Sequence, residues 1–286
     1  MEKIIVASET AQRPAGVVSA GGILDRIVDA KMYRLQQSRS QLSLDALIER
    51  TAQVSRPARP FAENLKRPDS LNIIAEIKQR SPSKGIIRGD FEPLQIARSY
   101  TDSGAAAISV LCEEDYFGGS LDDLRMIGAA CATPLLRKDF LFDEYQLYEA
   151  RAAGADAVLL IVAILSDELL SRLLAKAAAL NLAALVEVHT ADEMHRAAGA
   201  GATIIGVNNR DLKTFNVNLR TSLDLAPLAP QGATLISESG IATGESLRQL
   251  RNAGYNAFLI GETFMRAANP GGALRGLIEE AVGEPS

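Results

Sequence analysis

A short apolar run followed by a helix-favouring stretch returns about eight times between Asn72 and the end of the chain, and this repetition constrains the fold more than any other feature. The β-favouring runs are Ile73–Lys78, Ala106–Leu111, Leu135–Phe140, Ala157–Val162, Ala183–Val188, Ile204–Asn208, Thr234–Glu238 and Ala257–Ile260. Their spacing of roughly 20 to 35 residues is that of a strand–helix unit. Several helical stretches stop at a Gly-centred signal before the next run: Ser103-Gly104-Ala105, Ala153-Gly154-Ala155, Ala200-Gly201-Ala202 and Ala253-Gly254-Tyr255. Glycine there supplies the left-handed helix stop. Such a series predicts an α/β chain closed into a (β/α)8 TIM barrel. A doubly wound open sheet is the rival, but it calls for fewer strands or a Gly-x-Gly-x-x-Gly loop, and that motif does not occur.

The first seventy residues fall outside the repeat. Residues 1–22 are polar and irregular and read as a flexible tail, residues 23–71 as a helical extension packed on the barrel, and residues 72–286 as the barrel of one domain. Ile23, Leu24, Ile27, Val28, Met32 and Leu35 recur at helical spacing, and Ser43 is placed to cap a second helix running through Gln53. Residues 57–68 read as an irregular connector.

Size and composition exclude several classes of function. With 286 residues, 47% of them hydrophobic, the chain can bury one large core or two small ones. A net charge of −5 argues against a nucleic-acid binder. No apolar run approaches the roughly 18 residues of a membrane helix, and the N-terminal stretch lacks the plan of a signal peptide. Cys112 and Cys131 define no disulfide framework and lack metal-ligand spacing. His189 and His195 lack a metal-binding partner at i+4 and read as surface or supporting groups, so no metal is expected. The chain is read as a cytoplasmic monomer.

Ionisable residues mark one end of the runs. In Ile74-Ala75-Glu76-Ile77-Lys78, alternation sends Glu76 and Lys78 to the same side of a strand, and the chain then breaks into the basic loop Gln79–Gly85. An exposed edge strand would explain the pair through solubility, but a half-solvated strand seldom runs straight into a cationic turn. Lys138, Glu187, Asn208, Arg210 and Glu238 follow at the ends of later runs, several inside otherwise apolar stretches. One such charge is usually a strand end reaching water, whereas five strands doing so at one end point to an active site at the C-terminal rim. Converging carboxylates and cations hold each other ionised and move protons. Lys78, Lys84, Arg88, Lys138 and Arg210 favour a small anionic, phosphorylated ligand, and Ser239-Gly240 and Gly261-Glu262 stand where barrels grip phosphate through backbone amides.

These residues resemble the indole-3-glycerol-phosphate synthase family of tryptophan biosynthesis. The matching segments, in order along the chain, are Ile74–Lys78 with Ser81–Gly85, Ser109–Leu111, Leu136–Phe140, Leu185–His189, Ile205–Leu212, Ser237–Ile241 and Phe258–Gly261. The resemblance implies a monofunctional barrel with a helical extension and no metal or organic cofactor. It further implies conversion of 1-(2-carboxyphenylamino)-1-deoxyribulose 5-phosphate to indole-3-glycerol phosphate, CO2 and water. By the same resemblance Lys138 is the general acid on the ketone oxygen and Glu187 the general base of the dehydration. Lys78 holds the substrate carboxylate or phosphate, and which lysine releases water is left open. Glu76 orients the lysines, while Asn208 and Glu238 bind sugar hydroxyls. Ser81 and Arg210 bind near the carboxylate and anilino end, and Phe117, Phe140 and Leu159 wall the aromatic ring. Ser239, Gly240, Gly261 and Glu262 join Lys78 around the phosphate. Two positions depart from the family pattern. Glu262 replaces a small hydroxyl residue, which requires its side chain to turn away from the ligand, and Cys112 replaces a polar residue and reads as an inert packed thiol. The competing readings are a sugar-phosphate isomerase like phosphoribosylanthranilate isomerase, which calls for a Cys/Asp pair, and a phosphate-binding barrel without turnover.

Overall fold

Eight parallel strands close into a barrel in sequence order: β1 (Asn72–Ile77), β2 (Ala107–Leu111), β3 (Leu135–Lys138), β4 (Ala157–Ile161), β5 (Ala183–Val188), β6 (Ile204–Asn208), β7 (Thr234–Glu238) and β8 (Ala257–Ile260), with β8 pairing back onto β1. This computed structural model describes residues 13–283. The strands are buried almost throughout, as expected when helices cover the outside and side chains fill the inside. Four strands keep the predicted limits. β3 ends at Lys138, two residues short of the predicted Phe140, because Cys112 N donating to Lys138 O (2.9 Å) is the last rung there and Asp139 turns its carboxylate out to Arg137.

The helices are α1 (Gly22–Gln41), α2 (Leu44–Ala52), α3 (Phe61–Asn64), α4 (Pro93–Asp102), α5 (Leu121–Ala130), α6 (Glu144–Ala152), α7 (Asp167–Ala179), α8 (Ala191–Gly199), α9 (Arg220–Leu225), α10 (Gly244–Asn252), α11 (Glu262–Met265) and α12 (Pro270–Val282). The two predicted N-terminal helices form α1 and α2, and Ser43 caps α2 by accepting from Ala46 N. The connector after them contains the single turn α3. No described helix is long and apolar enough to cross a membrane.

Charge pairs tie α1 to the loops at the C-terminal rim. Lys31, 4% exposed, reaches Glu114 at 2.8 Å and Asp139 at 2.9 Å, and Arg34 reaches Asp115 at 2.7 Å. At the opposite, N-terminal end, the buried Asp156 accepts from Arg56, from Arg59 through backbone and side chain, and from Leu135 N at the start of β3. Residues 1–12 of the segment read as a flexible tail lie outside the described residues. Within 13–21, Val17 is buried and bridges Leu165, and Arg13 pairs with Asp25 at 3.0 Å.

Candidate active site

The strand register brings distant residues into layers at the C-terminal rim. Glu187 on β5 lies opposite Gly206 on β6, and Asn208 on β6 opposite Glu238 on β7. Gly206 has no side chain to fill the interior, so the Glu238 carboxylate lies over it; a Cβ there would overlap Glu238 Oε1. Gly261 does the same for Glu76, whose Oε1 occupies the place a Cβ would take.

At the centre stands Lys138. Its Nζ lies 2.7 Å from Glu187 Oε2 and 3.2 Å from Glu238 Oε2, and Asn208 Nδ2 donates to the other Glu187 oxygen at 3.2 Å. Lys78 pairs with Glu76 beside this group. Burial works against a charged Lys138, but Glu187, then Glu238 and Glu76, outweigh it and hold the ammonium above the ordinary lysine range. Burial likewise pushes the Glu187 carboxyl up, yet Lys138 and His189 bring it down to about 2. Glu238 is more distant from the cation and faces Glu187; its burial and that repulsion push it up to about 7. Two carboxylates on one ammonium therefore part in opposite directions, the nearer one ionised and the farther one ready to take a proton.

A cavity of about 700 Å3 opens above this centre. It is lined by Glu76, Lys78, Lys138, Glu187, Asn208 and Glu238, and also by Phe117, Phe140, Leu159, Arg210, Ser239, Gly240, Gly261 and Glu262. The rings of Phe117 and Phe140 lie 6.2 Å apart as one apolar wall, opposite the loops after β7 and β8. Ser239 and Gly240 both take positive φ, 67° and 82°, uncommon for a serine and typical of a backbone shaped for a ligand. Glu262 opens the short α11, and its carboxylate pairs with Arg210 at 3.3 Å and Arg266 at 3.0 Å, all three within the cavity lining.

Two expected residues are not brought in. The loop after β1 folds into a ribbon pairing Arg80–Ser81 with Gly85–Ile86, which leaves Ser81 facing Ser83 outside the cavity lining. Arg88 follows that ribbon outward and binds Asp90 and the carbonyl of Ala267. Cys112 is fully packed, its thiol donating to Val110 O and pushed up by burial. The acidic run Glu113-Glu114-Asp115 has partners for every carboxylate: backbone amides for the first, Lys31 and Arg34 for the others. Leu24 of α1 lines the cavity and was not singled out from the sequence, since its helical spacing marks it only as core.

A family model described as indole-3-glycerol phosphate synthase matches residues 24–277. The chain belongs to the indole-3-glycerol phosphate synthase family. Among its relatives, the indole-3-glycerol phosphate synthase of Laribacter hongkongensis is 48% identical over 256 residues, covering 88% of this chain and 97% of the relative. That of Polaromonas sp. is 46% identical over 255 residues, covering 88% and 96%. Among solved structures, 3-hexulose-6-phosphate synthase from Salmonella typhimurium superposes with a TM-score of 0.61 at 12% identity over 74% of this chain and 99% of that one, a likeness of fold alone.

Proposed function

We propose that the chain converts 1-(2-carboxyphenylamino)-1-deoxyribulose 5-phosphate to indole-3-glycerol phosphate, CO2 and water. The observation that carries the residue assignment is the Lys138 ammonium, held charged between Glu187 and Glu238 at the floor of an apolar-walled cavity. Lys138 donates a proton to the ketone oxygen as the ring carbon bearing the carboxylate attacks the ketone carbon. The C–CO2 bond then breaks and its electron pair restores the aromatic ring. A second proton converts the resulting hydroxyl to departing water, and Glu187 accepts the proton lost from the methylene beside nitrogen. Phe117, Phe140 and Leu159 press the anilino ring toward the ketone, so that closure is intramolecular in a cavity with little water.

Glu76 holds Lys78 in place, and Lys78 with Arg210 supplies charge for the substrate's anionic groups. Asn208 and Glu238 take the sugar hydroxyls. Ser239, Gly240 and Gly261, with the amide of Glu262, surround the phosphate. The isomerase reading lacks the cysteine of its acid/base pair, because the Cys112 thiol is buried and held by a carbonyl. Incubation with the anilino substrate tests the function: indole fluorescence must appear with time. A folded protein that binds the substrate and produces none is a binder, and the reading fails.

A further inference from the structure

The mechanism above does not use His189, yet its ring is wedged against the base. β5 ends at Val188, and the next inward position is His189. Its Nε2 lies 3.4 Å from Glu187 Oε1, is buried, and has no hydrogen-bond partner among the described residues. On the other side, Nδ1 lies 3.3 Å from Glu193 Oε2. Glu193 sits in the first turn of α8, fixed by the His189 backbone N–H at 2.7 Å and capped by Thr190, and its side chain is 16% exposed. A buried carboxylate, an imidazole and a water-reaching carboxylate thus stand in series.

The overall proton balance requires one proton from solvent. With the substrate carboxylate ionised, the ketone oxygen leaves as water carrying two added protons, while the methylene carbon loses one. Each turnover therefore draws one proton from solvent. The Lys138–Glu187 contact at 2.7 Å can return the proton that Glu187 collects, but the remaining one must enter from outside. We propose that His189 relays this proton from Glu193 to Glu187. Glu193 passes a proton to Nδ1 as Nε2–H gives its own to Glu187 Oε1, so the ring gains one, loses one and keeps its charge. A turn of the ring about its Cβ–Cγ bond then brings an N–H back to the Glu187 side, so the reset does not run the transfer in reverse. The groups facing the ring are Glu187 on β5, Glu193 on α8 and Glu238 on β7, all acidic. Burial disfavours the charged ring, but these carboxylates raise its affinity for a proton above that of ordinary histidine.

The relay rests on Glu187 accepting a proton, so the test runs Glu187→Gln beside His189→Gln and Glu193→Gln. Turnover is followed by indole fluorescence from pH 6 to 9, in a bulky buffer and in rising imidazole. For His189→Gln, kcat should fall roughly tenfold with KM unchanged, the loss should deepen as pH rises, and imidazole should restore it. Glu193→Gln should show the same imidazole-sensitive loss with the histidine intact, and it reports on the relay even if His189→Gln folds poorly. Wild-type kcat and pH profile in both variants, or a loss that imidazole leaves unchanged, overturns the relay. An active Glu187→Gln overturns the base assignment instead.

Discussion

Replacing Lys138 with methionine removes the one cation that Glu187 and Glu238 share, and both consequences can be sized from the structure. The first is on stability. Removing one partner of a buried ion pair typically costs about 3–5 kcal/mol, because the remaining charges stay in low dielectric. Here the carboxylates can respond by binding protons. Glu238 is already pushed up to about 7, and without the ammonium the Glu187 carboxyl must rise as well, since it loses the attraction holding it near 2. A carboxyl raised in the folded state adds most stability below its unfolded value, and that stability is lost as pH rises from the unfolded value to the folded one. Lys138→Met should therefore lose stability progressively above pH 4.5 and remain more stable at pH 6 than at pH 8.

The second consequence is on the reaction. A positioned general acid contributes about 100- to 10,000-fold, or roughly 3–5 kcal/mol of barrier. The fall should appear in kcat at pH 6, where the variant is more stable than at pH 8, with KM close to wild type, since Lys78, Arg210 and the loops after β7 and β8 remain. Product fluorescence is the assay, and the chain's lack of tryptophan leaves that signal free of background. A folded Lys138→Met enzyme turning over within about tenfold of wild type, or losing only substrate affinity, would refute the acid assignment.

Gly206→Ala should lower kcat while the protein still folds, because the added methyl displaces the Glu238 carboxylate; an overpacking cost of about 1–3 kcal/mol would show in thermal melting. Asp156→Ala should do the opposite. It strands two arginines at the far end of the barrel, lowering stability by about 3–5 kcal/mol in urea titrations while kcat at low temperature stays at wild type. In the free wild-type protein, the raised Glu238 carboxyl should make the melting midpoint decline as pH rises from 4.5 to about 7 and level off above it, and Glu238→Gln should flatten that decline.

What was readable in the sequence was what local periodicity and chemistry carry. Strand repeats survive in single-residue patterns, and a glutamate or lysine inside an apolar run stands out because packing alone does not accept it, which is how Glu76, Lys138, Glu187 and Glu238 were found. Chain direction beyond a strand end is a different matter. The ribbon after β1 brings Lys84 to the cavity lining and leaves Ser81 and Arg88 out of it, and nothing in a run of Ser, Pro, Lys and Gly states which of them turns inward.

Contacts between distant segments were equally hidden. Arg137 and Asp139 flank Lys138 and read only as its neighbours, yet Asp139 is held by Lys31 of α1 and by Arg137 together, so the N-terminal helix reaches the residue next to the proposed acid. The expectation that His189 lacks a partner at i+4 is overturned by Glu193, whose Oε2 lies 3.3 Å from His189 Nδ1. A search for metal ligands passes over that pair, because its meaning depends on Glu187 standing on the other side of the ring. The inward strand positions set one another's charge, Lys138 through Glu187, Glu238 and Glu76, while the residues just after a strand end form a second set packed beside them. A histidine one position beyond β5 and an aspartate one position beyond β3 belong to this second set, and the barrel makes them partners of the site by turning the chain there.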